Sequence, residues 1–146
     1  MKKYWLYIAI TLLSFGIISC SKDDDPVPDP NITFRATING ASEVPTNASA
    51  ATGTSTAIFN KDSKVITITT TYTGLTVVNA HIHKGAVGVS GGVIFGFAAP
   101  FASPIVFTTA ALDATQEADL NANLYYVNLH SAAFPGGEIR GQLIKQ

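Results

Sequence analysis

Residues 52–74, TGTSTAIFNKDSKVITITTTYTG, carry the pattern that most narrows the choice of fold. Threonine, valine, isoleucine and aromatic residues alternate with polar ones on both sides of Lys61, Asp62 and Ser63, so two strands meet at a tight turn, with Ile66, Ile68 and Tyr72 on one face. A period of two sends alternate side chains to opposite faces of a sheet, and β-branched residues suit its pleat. The segments LTVVNAHIH (75–83), GGVIFGFAA (91–99) and SPIVFTT (103–109) repeat the signal, and NLYYVNLHS (123–131) with GGEIRGQLIK (136–145) reads as a second hairpin. Only LDATQEADLNAN (112–123) has a helical composition. About seven to nine short strands bounded by turn residues predict an all-β antiparallel sandwich or barrel.

The first 30 residues are of another kind. Lys2 and Lys3 precede the apolar run YWLYIAITLLSFGIIS, which ends at Cys20, the one cysteine of the chain. A run of 16 residues interrupted by Thr11, Ser14 and Gly16 is short for a membrane span and has the form of a signal sequence. Ile17, Ile18 and Ser19 ahead of Cys20 resemble a lipobox, which implies a signal peptide over 1–19 and lipidation of Cys20. With no second thiol, a disulfide is excluded. SKDDDPVPDP (21–30), rich in aspartate and proline, supports neither ladder nor helix and reads as an extended tether over 20–30. Its start resembles the export signal of bacterial surface lipoproteins. The expected location is the cell envelope, on the outer face of the outer membrane, with the lipid anchor as membrane contact.

Residues 31–146 then make one domain, large enough to bury a core without disulfides. Its four lysines and two arginines balance three aspartates and three glutamates. Nucleic acid is excluded as a partner, because phosphate binding needs a basic stripe.

Strand alternation also places the chemistry. His81 and His83 share a face while Ala80 and Ile82 point to the core; Tyr126, Asn128 and His130 alternate with Tyr125, Val127 and Leu129; Glu138, Arg140 and Gln142 alternate with Ile139, Gly141 and Leu143. If these strands are neighbours, His81, His83, His130, Asn128, Glu138 and Arg140 gather on one polar face. An H-x-H pair plus a third histidine from another strand is the ligand arrangement of β-sheet copper or zinc centres. The same residues equally serve a hydrogen-bonded sheet face, with imidazoles bonded to carbonyls or to Glu138, and this structural role is the preferred reading. A bridged copper and zinc pair of the superoxide dismutase kind needs more than three histidines.

GVSGG, Gly88 to Gly92, fits G-x-S-x-G, and Asp113 and His130 follow in hydrolase order. A strand-like VIFGF after the serine, in place of a helix, refuses that reading and leaves a glycine-rich connection. In FPGGEIRGQL, Pro135 and Gly136 suit the central positions of a type II turn. Glu138 and Arg140 are expected to pair with each other or with Glu43, with a ligand clamp as Arg140's alternative role.

NGASEVPT (39–46), GLTVVNAHIHKGAVGVSGGVI (74–94) and YYVNLHSAAFPGGEIRGQL (125–143) resemble the three blocks of the CHRD domain, a family named from chordin, with Thr46 where the family has a second proline. The resemblance implies an immunoglobulin-like or superoxide-dismutase-like β-sandwich and no catalytic residues. The chain therefore reads as a lipid-anchored, non-enzymatic binding or scaffolding module for an unknown protein or surface ligand. The alternative is a copper- or zinc-binding module using His81, His83 and His130.

Overall fold

The computed structural model describes residues 28–146. The signal segment, Cys20 and most of the acidic tether lie outside the described residues. Among the described residues nine strands form: β1 Asn31–Asn39, β2 Thr52–Asn60, β3 Val65–Thr73, β4 Asn79–Lys84, β5 Val93–Gly96, β6 Ile105–Thr108, β7 Tyr125–His130, β8 Ile139–Gln142 and β9 Ile144–Lys145. All pair antiparallel in one sheet of order β5-β4-β7-β8-β1-β2-β3-β6, with β9 beside β1. The sheet curls on itself as a sandwich. Phe34 and Ile38 of β1, Ile66 and Ile68 of β3, Ile82 of β4 and Leu129 of β7 thereby share a single core cluster.

The β2–β3 hairpin lies where the alternation predicts it. Asn60 Oδ1 accepts from the Asp62 and Ser63 amides and closes the turn, and Lys64 takes the left-handed conformation at φ 60°. Ile66 and Ile68 point inward; β1, outside the segments singled out from sequence, repeats the pattern with Phe34, Ala36 and Ile38 buried and Arg35 and Thr37 exposed. Helix α1, Ala114–Asn121, falls within the expected stretch. Asp113 caps it by accepting from the Gln116 amide, Gln116 returns the bond to the Asp113 amide, and Leu120 anchors it in the core.

The two halves of the sheet differ in a way that positions the site. Strands β1 to β3 cover one face only, as alternation requires. Every residue of β7 is buried, on both faces. On the inner side Val127, Leu129 and Ile82 fill the core, so Ile82→Ala would cost about 2–5 kcal/mol. On the outer side the polar residues of β4, β7 and β8 are roofed by the connections 40–49, 85–92 and 131–137.

Candidate functional site

Strands β4, β7 and β8 are consecutive neighbours, with His81 opposite Asn128 and Asn128 opposite Arg140. The polar residues therefore gather on one face, as alternation predicts. That face is not solvated: Asn128, His130, Glu138, Arg140 and Glu43 are all under a tenth exposed. A buried polar group must find partners in the fold, and here most partners are the loops overhead.

Arg140 corrects the expected ion pair. Among the described residues it forms no salt bridge with Glu138 or Glu43. Its Nε donates to Ser42 O at 2.5 Å and its Nη1 to Val89 O at 3.3 Å, while the guanidinium lies 4.5 Å from the Tyr126 ring centroid. Carbonyls of two loops take the donors that a carboxylate or a ligand would otherwise receive. Glu138 instead accepts from Ser49 Oγ at 2.7 Å, and its carbonyl accepts from Asn47 Nδ2. Gln142 Nε2 donates to Gly85 O and Asn123 O, the Gly91 amide donates to Tyr126 Oη, and Ser90 Oγ donates to Val44 O. Tyr126 and Gln142 lie on the polar face where alternation puts them, whereas Asn47 and Ser49 belong to the layer although sequence reading did not single them out. Their partners lie tens of residues away, so no local spacing marks them.

Glu43 Oε1 and Asn128 Oδ1 are buried without a hydrogen-bond partner in the protein. Both approach the place where a side chain on Gly137 would begin, at 2.8 and 2.7 Å from its Cβ position. Burial pushes the Glu43 carboxyl above the usual carboxylate range, opposed by the nearby Arg140 charge and by the Val44 amide. Gly137 has φ 129°, which corrects the turn type. Pro135 and Gly136 do occupy the central positions and the Gly137 amide closes on Phe134 O, but the positive φ falls on Gly137, not Gly136, so the turn is not type II.

The three histidines converge. One ring nitrogen from each lies within 4.8 Å of the others. His81 Nδ1 and His130 Nε2 are 3.0 Å apart; His83 Nδ1 is 3.0 Å from Gly91 O and His130 Nδ1 is 2.9 Å from Pro135 O. Backbone carbonyls, and not Glu138, orient His83 and His130, and His81 is held by His130. The His83 ring stacks on Tyr126, centroids 5.0 Å apart and 8° from parallel, and Arg140 sits on the same tyrosine. Burial lowers the His81 and His83 pKa values, helped at His81 by its two imidazole neighbours and at His83 by His130 and Arg140, with the Gly91 carbonyl opposing.

No hydrolase triad assembles. Ser90 is tied to Val44 O, Asp113 caps α1, and both nitrogens of His130 are committed elsewhere. Gly88 does have positive φ, at 77°, as a glycine-rich connection requires.

This antiparallel sandwich, with its signature residues buried under their own loops, defines the class. The family model for the CHRD domain matches residues 34–143, and the chain belongs to that family. No curated protein and no solved structure matches the chain.

Proposed function

We propose that the chain is a non-enzymatic CHRD module, held by lipid on Cys20 at the outer membrane and displayed on the cell surface, that binds or scaffolds a protein or surface ligand through its outer loops. One observation carries the reading. The polar residues of the family blocks are spent on fixing loops, Arg140 alone joining Ser42 and Val89, so the module's rigid product is a loop surface. On that surface Val87, Val89 and Val44 are 75%, 52% and 39% exposed, and the Ser90 bond to Val44 O ties the two loops together. Fixed apolar side chains flanked by polar backbone are the composition of a recognition patch. The lipobox and the acidic tether support anchoring and display.

Two measurements test it. A photo-crosslinking residue at Val87, in intact cells, should give a discrete adduct that the same residue at Ile58 on the far half of the sheet does not; no adduct, or the same adduct from both, counts against recognition by the loops. Cys20→Ala should move the protein out of the detergent phase and abolish shaving of the domain by added protease; unchanged partitioning would refute the anchor.

A further inference from the structure

The loop-holding network does not account for the histidines. We infer that His81, His83 and His130 form a transition-metal site that takes one Cu²⁺ or Zn²⁺ ion, Cu²⁺ the more tightly.

Proton placement gives the first reason. A carbonyl only accepts, so the Nδ1 of His83 facing Gly91 O and the Nδ1 of His130 facing Pro135 O carry the protons. In a neutral imidazole the second nitrogen is then a bare lone pair. His130 Nε2 meets His81 Nδ1 at 3.0 Å, but His83 Nε2 is buried with no partner in the protein. A purely structural trio leaves that acceptor desolvated and unsatisfied; a metal ion uses it.

The surroundings give the second. Histidines that ligate metal almost always donate their other N–H to a carbonyl or carboxylate, which fixes ring and tautomer together. Both buried rings are held this way, and Tyr126, itself under Arg140, locks the plane of His83. The less buried ring, His81, faces the edge strand β5 and is the one able to adjust.

The donor set chooses the metal. Three imidazoles without thiolate or carboxylate suit copper and zinc and exclude calcium and magnesium, and Cu²⁺ stands above Zn²⁺ in intrinsic affinity. Two nitrogens bound at 2.0–2.1 Å are at most about 4.2 Å apart, and about 3.4 Å apart around a tetrahedral ion. Binding therefore opens the 3.0 Å His81–His130 contact slightly and draws the more distant nitrogens inward. His81 loses its hydrogen bond to His130, and if it ligates through Nδ1 its proton moves to Nε2. Three protein ligands leave one position for water or a partner's donor.

The test uses the full chain in detergent. Metal-free protein is titrated with CuSO₄, and separately with ZnSO₄, against a competing chromophoric chelator, and the copper form is examined by electron paramagnetic resonance. The expected result is saturation at one ion per chain, nitrogen hyperfine structure from three imidazoles, and at least a tenfold loss of affinity, roughly the scale seen for perturbed metal sites, in His81→Gln, His83→Gln and His130→Gln. His81→Gln decides if the two buried variants fail to fold, since its ring is the most accessible. Absence of saturable binding, or wild-type affinity in a folded His81→Gln protein, overturns the site.

Discussion

Replacing Arg140 with Met keeps most of the buried stem and removes only the guanidinium. The lost interactions are the Nε bond to Ser42 O, the longer Nη1 bond to Val89 O and the stack on Tyr126. A hydrogen bond to a charged donor contributes about 1.5–3 kcal/mol and a desolvated cation–π contact about 1–2 kcal/mol. Relief from burying a charge offsets part of this. The net loss should be about 3 kcal/mol. With a urea m-value of about 1.5 kcal/mol/M, the unfolding midpoint falls by about 2 M. Glu43→Gln, made in parallel, should cost under about 1 kcal/mol, because Glu43 Oε1 has no protein partner and forms no ion pair with Arg140. An Arg140→Met variant within 1 kcal/mol of wild type by urea unfolding, or a Glu43→Gln variant as damaged as Arg140→Met, would refute the carbonyl-clamp account.

Gly141→Ala should destabilise by about 3 kcal/mol or more, since its Cβ would fall 2.2 Å from Thr37 O on the paired strand, whereas Gly136→Ala, with open space around it, should stay within about 0.5 kcal/mol; equal thermal midpoints for the two would be the contrary result. The His81 and His83 pKa values are lowered on folding, so the unfolded chain binds more protons below its own value of 6.5; the stability they contribute is present above that pH and is lost as pH falls through the folded values. A His81→Gln/His83→Gln double variant should flatten the decline of stability below pH 6.5, and an unchanged slope would show that other groups cause it. Tyr125 carries a buried hydroxyl with no protein partner, its pKa pushed up to about 12 by burial, so Tyr125→Phe should be neutral or stabilising, and a loss above about 1 kcal/mol by denaturant unfolding would contradict that.

Strand positions were legible wherever one face met the core and the other met water. Ile66 and Ile68 in β3, and Ala80 and Ile82 in β4, announce their inward side by alternation alone, and the same rule puts His81 and His83 together on the other. His130 was expected to join that pair if β4 and β7 were neighbours, and their antiparallel pairing in the sheet meets that condition. The fate of the polar face was not legible. Alternation says which side a residue is on but not whether a loop covers that side, and the covering residues are far off in sequence: Ser42 and Arg140 are 98 apart, Ser49 and Glu138 are 89 apart. Hence Glu138 and Arg140 read as an ion pair with each other or with Glu43, although both are buried against the 40–49 connection, with Arg140 also reaching Val89 in the 85–92 connection. The turn at Phe134–Gly137 shows the same limit on a smaller scale, because consecutive glycines do not reveal which of them takes the positive φ.

Residue-resolved amide hydrogen exchange of the wild-type protein tests most directly whether the buried polar layer makes the loops part of the fold. The amides of Glu43 and Asn47, both bonded to Gly40 O, and of Gly91, bonded to Tyr126 Oη, are the reporters. They should be protected with opening free energies close to those of Ile82 and Val127 in the paired strands. Exchange of Glu43, Asn47 and Gly91 at the rate of unstructured chain, while Ile82 and Val127 stay protected, would contradict the account.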